Sequence, residues 1–264
     1  MTKTKRMLWE GTPPAQSTES DFHPYLEPHV LSTAEARGAV LICPGGGYTM
    51  RAQHEAEPIA KSYNAAGFHA FVVQYRVAPN RHPAPLLDVT RALRMIRSRA
   101  GEWHVDPERI AVCGFSAGGH LTGSIGVHYS LPDVDTGDAL DVVSCRPNAL
   151  ILCYAVLSAG CRRHVGSFVN LLGPDADPDL VELMSLENQV TEDTPPAFLW
   201  HTADDPAVPV ANSLLFAGAM AEHGVPFELH VYPQGAHGLG LAPADPHIAT
   251  WMGLSIDWLR GMGW

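Results

Sequence analysis

Chemistry in this chain begins at a serine held between two glycines, Gly114-Phe115-Ser116-Ala117-Gly118. The apolar run Arg109 to Val112 leads into it, and Leu121 to Val127 reads as a helix that follows. Strand, sharp turn and helix form the context in which Gly-x-Ser-x-Gly lifts a serine Oγ clear of a sheet. Glycine is expected at 114 and 118, where a side chain would collide with the crossing strand or helix. A serine hydroxyl at its free pKa is a poor nucleophile. It needs a base, and the base needs a carboxylate to orient it. Two later loops supply these groups. One follows the strand-like run Ala197 to Trp200 and carries Asp204 and Asp205; the other follows Phe227 to Tyr232 and carries His237 between Gly235 and Gly238. Asp205 is the expected orienting acid, because D-x-x-V-P spacing sets it just before the turn into the next helix. Asp204 reads as a holder of loop backbone. Ser116, Asp205 and His237 together point to nucleophilic acyl transfer.

A tetrahedral oxyanion needs preorganised donors, each contributing on the order of 3 kcal/mol to the barrier. The Ala117 amide offers one, and the run Gly45-Gly46-Gly47 offers others, with Gly45 and Gly46 as the expected donors. A glycine loop after a first strand can also cradle phosphate. This one lacks the G-x-G-x-x-G order, a Walker lysine and a following ribose-binding acid. Tyr48 is read as a substrate-binding residue bordering the acyl pocket, with plugging of the loop as the alternative. Among 14 histidines, His120 is expected as a packed core residue and His201 beneath the acid loop, while His54 and His164 receive no assignment. No H-E-x-x-H and no clustered Cys/His pair is present, so neither a metal site nor a cofactor is expected.

These groups must be positioned by a sheet. Strands are expected at 23–31, 39–43, 69–75, 109–112, 149–154, 196–200 and 227–232. Helices are expected at 55–66, 83–100, 121–127, 210–223 and 246–259. In the second helix Leu86, Val89, Leu93 and Ile96 recur at three- and four-residue steps, with Arg91, Arg94 and Arg97 on other faces. Short apolar strands alternating with amphipathic helices imply an α/β fold, a mostly parallel sheet covered on both sides. The three loops carrying Ser116, Asp205 and His237 then end at the carboxyl edge of one sheet, where such folds gather their sites. A single domain over 1–264 is expected, with 1–20 extended or poorly ordered. A polar insertion at about 158–194 should form a cap or rim over the pocket, whose deletion alters substrate preference more than acetyl-ester hydrolysis.

The chain has 264 residues, 46% of them hydrophobic, and a formal charge of −11. The charge argues against nucleic acid or an anionic membrane as partner. Of the five cysteines, Cys43, Cys113 and Cys153 sit in apolar strand-like runs and read as buried thiols in a reducing compartment. The first 20 residues show no signal-peptide pattern, and no apolar run nears the roughly 18 residues a membrane span needs. A cytoplasmic protein is expected; the sequence leaves its oligomeric state open.

The stretches Cys43-Pro44-Gly45-Gly46-Gly47-Tyr48, Tyr75-Arg76-Val77-Ala78-Pro79, Gly114 to His120, Ser185-Leu186-Glu187-Asn188-Gln189-Val190-Thr191 and Tyr232 to Gly238 resemble the α/β-hydrolase superfamily. The likeness is closer to its acetylxylan-esterase-like branch, itself related to the hormone-sensitive-lipase-like esterases. It spans about residues 39–240. The resemblance implies an α/β-hydrolase fold and a serine esterase that removes short acyl groups, such as acetyl from sugars or xylo-oligosaccharides. By residue it implies Ser116 as nucleophile, Asp205 as acid, His237 as base, and Gly45, Gly46 and Ala117 as oxyanion donors. Two positions depart from the pattern: Pro44 stands where related lipases have histidine, and Ala155 where closer relatives have proline. An amidase or aryl-formamidase with the same triad, and a hydrolase-fold binding protein without turnover, are the alternatives.

Overall fold

Alternation along the strands decides which helices cover which face. In β3 (Arg37–Cys43), Ala39, Leu41 and Cys43 join one apolar cluster while Val40 and Ile42 join another on the opposite side. The first cluster receives Leu86, Val89, Leu93 and Ile96 of α2 (Ala84–Ser98), the positions its periodicity singled out. The second receives Ile59, Ala60 and Tyr63 of α1 (Glu57–Ala65) and Trp251, Met252, Ile256 and Leu259 of α8 (Thr250–Gly261). Each fully buried aliphatic side chain contributes about 1.5–3 kcal/mol relative to exposure.

The computed structural model describes residues 4–160 and 162–264. Among them an eight-stranded sheet runs in the order β1-β2-β4-β3-β5-β6-β7-β8. Strands β1 (Arg6–Met7) and β2 (Tyr25–His29) form an antiparallel edge against β4 (His69–Gln74). From β4 through β3, β5 (Val105–Phe115), β6 (Ala149–Cys153), β7 (Ala197–Thr202) and β8 (Phe227–Tyr232), every pairing is parallel. The remaining helices are α3 (Ala100–Trp103), α4 (Ser116–His128), α5 (Val165–Leu172), α6 (Pro178–Leu183) and α7 (Ala211–Glu222). The doubly wound, mostly parallel sheet expected from the sequence is therefore present.

Three segments carry contacts that the sequence did not show. The N-terminal stretch is extended and tied down from residue 6, where β1 pairs with β2: Leu8 is buried, the Trp9 indole donates to Asp88 Oδ1 at 2.8 Å, and Pro14 O accepts from Arg76 at 2.6 Å. Residues 1–3 of that stretch lie outside the described residues. The faces of α2 that carry Arg91, Arg94 and Arg97 are covered by a later segment. Arg94 bonds Val134 O, Val143 O and Asp141, Arg91 pairs with Asp138, and Arg97 reaches Arg146 O and Asn148 Oδ1. They clamp the irregular 132–148 segment onto the helix. The 158–194 insertion carries α5 and α6, and its apolar residues enter the main core: Phe168, Leu171 and Met184 are buried, and Leu186 has no exposure. Its deletion would open that core. Packing therefore ties the insertion to the fold as well as to the pocket side.

Candidate active site

Strand β5 ends at Phe115, and α4 starts at the next residue. Ser116 makes the turn with φ +51°, in the left-handed region that costs a non-glycine residue about 1 kcal/mol or more. The neighbouring glycines are demanded by contact. A Cβ at Gly114 would lie 2.2 Å from Gly118 O, and one at Gly118 would lie 2.1 Å from Cys43 O. The strain and the close approach together set the hydroxyl at the carboxyl edge of the sheet, at the first turn of α4.

His237 and Asp205 reach the same edge from the loops after β8 and β7. His237 Nε2 lies 2.8 Å from Ser116 Oγ, and Nδ1 lies 2.7 Å from Asp205 Oδ2. A carboxylate only accepts, so Nδ1–H donates to Asp205, which leaves the Nε2 lone pair facing the serine O–H. The other Asp205 oxygen accepts from the amides of Ala207 at 2.8 Å and Val208 at 2.9 Å. Burial pushes this carboxyl upward, but bonds from His201, His237, Val208 and Ala207 outweigh it and hold the group well below the usual carboxylate range. His201 is fully buried beneath this loop. Its Nε2 is 2.9 Å from Val208 O and 3.5 Å from Asp205 Oδ2, and its Nδ1 is 2.8 Å from Ser213 Oγ. The Nε2 proton lies between these two acceptors, nearer the Val208 carbonyl.

Several side chains hold the histidine loop from outside this line. Asp204 Oδ1 accepts the Gly235 amide at 2.7 Å, and Thr202 Oγ1 donates to Gly235 O at 2.9 Å. Asp204 thus belongs to the loop backbone. His54 Nε2 donates to Gly238 O at 2.8 Å. The Tyr154 ring meets the imidazole of His237 edge-on, with centroids 5.1 Å apart.

The oxyanion donors need one correction. The Gly45 amide is committed to Glu55 Oε2 at 2.7 Å, so it is spent on the protein itself. Gly46 and Ala117 remain. Gly46 has φ +127°, and a Cβ there would sit 2.4 Å from Met50 O. Ala117 lies in the first turn of α4, where amides lack an intrahelical acceptor and the helix dipole favours negative charge. A second correction concerns Tyr48. It is 2% exposed, and its hydroxyl donates to His120 Nδ1 at 2.9 Å, while His120 Nε2 donates to Met184 O at 3.0 Å. Tyr48 is buried in the loop with its hydroxyl turned to His120, and His120 takes the packed core place expected of it.

Four further residues reach the site without having been given a role in the sequence. Glu55 and Tyr154 connect the glycine loop to the histidine loop. Asn170 Nδ2, from α5, donates to Gly47 O at 2.8 Å. His164 caps α5, with Nδ1 2.8 Å from Ser167 Oγ. Burial first, then the field of His237, lowers its pKa, against an opposing pull from Asp205, so the insertion begins within electrostatic reach of the triad. Tyr154 alone carried a positional signal, an aromatic ending an aliphatic strand at the functional edge. Glu55 lies in the acid-rich His54-Glu55-Ala56-Glu57 and looks like any first-turn carboxylate.

A family model described as BD-FAE matches residues 31–220. The chain belongs to the BD-FAE family. Among curated relatives it is 37% identical over 251 residues to an endo-1,4-beta-xylanase B of Butyrivibrio fibrisolvens, covering 93% of this chain and 39% of that protein. It is 33% identical over 231 residues to an acetylxylan esterase of Xylanibacter ruminicola, covering 85% and 44%. The chain thus spans less than half the length of these two relatives. A solved acetyl ester-xyloside bifunctional hydrolase from Caldicellulosiruptor lactoaceticus superposes with TM-score 0.95 at 46% identity, over 99% of this chain and 97% of that one. A carboxylesterase from Lactobacillus plantarum gives 0.82 at 29%, over 100% and 98%. The fold of this BD-FAE member is the α/β-hydrolase fold. No described helix is long and apolar enough to cross a membrane.

Proposed function

We infer that this BD-FAE member is a serine carboxylesterase that removes short acyl groups, acetyl above all, from sugars or xylo-oligosaccharides. The observation that carries the reading is the unbroken hydrogen-bonded line from Ser116 Oγ through His237 to Asp205. The acetylxylan esterase and acetyl ester-xyloside hydrolase among its relatives support the substrate class. Ser116 Oγ attacks the ester carbonyl while His237 Nε2 takes its proton, and the carbonyl π electrons move to oxygen. The amides of Gly46 and Ala117 receive that oxyanion. The tetrahedral centre collapses, the alkoxide leaves with the proton from His237, and an acyl-serine remains. Water, deprotonated by the same imidazole, attacks the acyl carbon and restores Ser116. Asp205 fixes the tautomer and stabilises the imidazolium. The insertion, through α5, supplies one wall of the substrate site. Buried free thiols at Cys43, Cys113, Cys145 and Cys153 support the cytoplasm as its compartment.

The test is a substrate panel: p-nitrophenyl esters from acetyl to octanoyl, acetylated xylose and xylo-oligosaccharides, and N-formylkynurenine. The reading expects highest kcat/KM on acetyl esters and acetate release from the acetylated sugars. Preference for the formamide, or turnover of none of them, would overturn it.

A further inference from the structure

The glycine loop and the histidine loop share one buried carboxylate. Glu55 ends a single helical turn, Gln53–Glu55, and is 2% exposed. Its Oε2 accepts the Gly45 amide at 2.7 Å, and its Oε1 accepts the Tyr154 hydroxyl at 2.6 Å. The Tyr154 oxygen in turn accepts the Gly240 amide at 2.9 Å, three residues past His237. Gly240 O is anchored by the Trp251 indole at 3.0 Å. The residue beside Glu55, His54, holds Gly238 O. One short turn therefore grips both loops.

The grip has a directional consequence. A trans peptide is planar, with its C=O and the following N–H pointing opposite ways. Gly45 O accepts from the Ala52 amide at 2.9 Å, which turns the Gly46 N–H away from Ala52. Glu55 fixes the preceding plane by holding Gly45 N–H. With both planes flanking the Gly45 Cα pinned, Gly46 N–H has one direction. Glycine itself supplies no such restraint. On the other side, Tyr154 (φ +36°) is held by Glu55 and Gly240 so that its ring buttresses the His237 imidazole. Burial, then the charge of Glu55 and the bond to it, raise the Tyr154 pKa well above its ordinary value, so the phenol stays a donor.

We propose that Glu55 is a positioning residue for ester hydrolysis: through Gly45 it aims the Gly46 oxyanion donor, and through Tyr154 it sets the ring of the base. The proposal rests on the acyl-transfer reading given above. Glu55 touches no reacting atom. Its effect should appear in the transition state, where an oxyanion exists, and hardly at all in substrate binding.

Glu55→Gln replaces one of two acceptors by an NH2 group, leaving either the Gly45 amide or the Tyr154 hydroxyl without its acceptor. Losing an oxyanion donor outright lowers kcat about 10²–10³-fold, so misaiming one should lower it about 10–100-fold, with KM within about threefold. A methyl trifluoromethyl ketone, which adds Ser116 Oγ to give a hemiketal oxyanion, should lose affinity by the same factor as kcat/KM. Tyr154→Phe should lower kcat about 3–10-fold, and the double variant should lose less than the product of the two. A wild-type kcat in Glu55→Gln, a loss seen in KM alone, or unchanged ketone affinity beside a fallen kcat would overturn the proposal. Should Glu55→Gln fail to fold, Tyr154→Phe decides, and wild-type kcat and ketone affinity there would overturn it. Ser116→Ala is run alongside. If it still turns over ester, the acyl-transfer reading fails and this proposal with it; if it is dead while Glu55→Gln is fully active, this proposal alone fails.

Discussion

Acid should weaken this fold through an imidazole that never meets water. His120 is 1% exposed beneath the first turns of α4, with Nδ1 accepting from Tyr48 and Nε2–H donating to Met184 O. Burial above all, against the favourable Met184 bond and with the further field of His128 and His82, lowers its pKa from 6.5 to about 4. The unfolded chain takes up a proton at this residue below about pH 6.5, and the folded one only below about 4. Stability contributed by the neutral ring is therefore complete above 6.5, falls as pH drops, and is gone near 4. At about 1.4 kcal/mol per unit, a difference of roughly two and a half units amounts to about 3 kcal/mol. A protonated ring would also force the Tyr48 hydroxyl to reverse from donor to acceptor at Nδ1. The assay is urea unfolding at pH steps from 7.5 to 4, comparing wild type with His120→Gln, which cannot titrate. Groups that do not interact with His120 are common to both and cancel in the difference. The wild-type advantage should shrink by about 1.4 kcal/mol per pH unit below 6.5 and level off near 4. Parallel lines for the two proteins across that range would refute the reasoning.

Further outcomes follow from the same geometry. Asp205→Asn should keep the fold but favour the wrong imidazole tautomer, lowering kcat about 10⁴-fold in steady-state hydrolysis of p-nitrophenyl acetate. Because hydrogen bonds hold Asp205 anionic well below the usual range, Asp205→Asn should also leave the fold's stability more nearly flat with pH on the far acid side, where wild type loses the stability of this carboxylate, as read by urea unfolding. Gly118→Ala would press a Cβ to within 2.1 Å of Cys43 O and 2.4 Å of Pro44 O, both backbone. It should lower Tm sharply or prevent folding. Gly101→Ala meets nothing within 4 Å and should hold or raise stability by up to about 1 kcal/mol by calorimetry.

Elements whose signal is local were legible in the sequence. Runs such as Ala39 to Cys43 and Ala149 to Cys153 carry their strand character in consecutive aliphatic residues, and α2 carries its buried face in a three-to-four spacing. Ser116, Asp205 and His237 could be named because each directly follows such a strand, so order along the chain translates into place along the sheet edge. What stayed hidden depends on partners distant in sequence. Arg94 looks like a solvated cation until the 132–148 segment folds over it. Gly45 looks like a free donor until Glu55, ten residues on, takes its amide. Tyr48 looks like a pocket residue until His120 claims its hydroxyl. The helices of the insertion were obscured by charged and proline-containing turns, although their few apolar residues complete the main core.

The central claim is that Ser116 is an activated nucleophile, and covalent capture tests it most directly. Intact protein treated with a fluorophosphonate and examined by mass spectrometry should gain a single adduct, mapped to the Gly114–Gly118 peptide and absent in Ser116→Ala. An unlabelled wild type, or an adduct on another residue that persists in Ser116→Ala, would contradict the account.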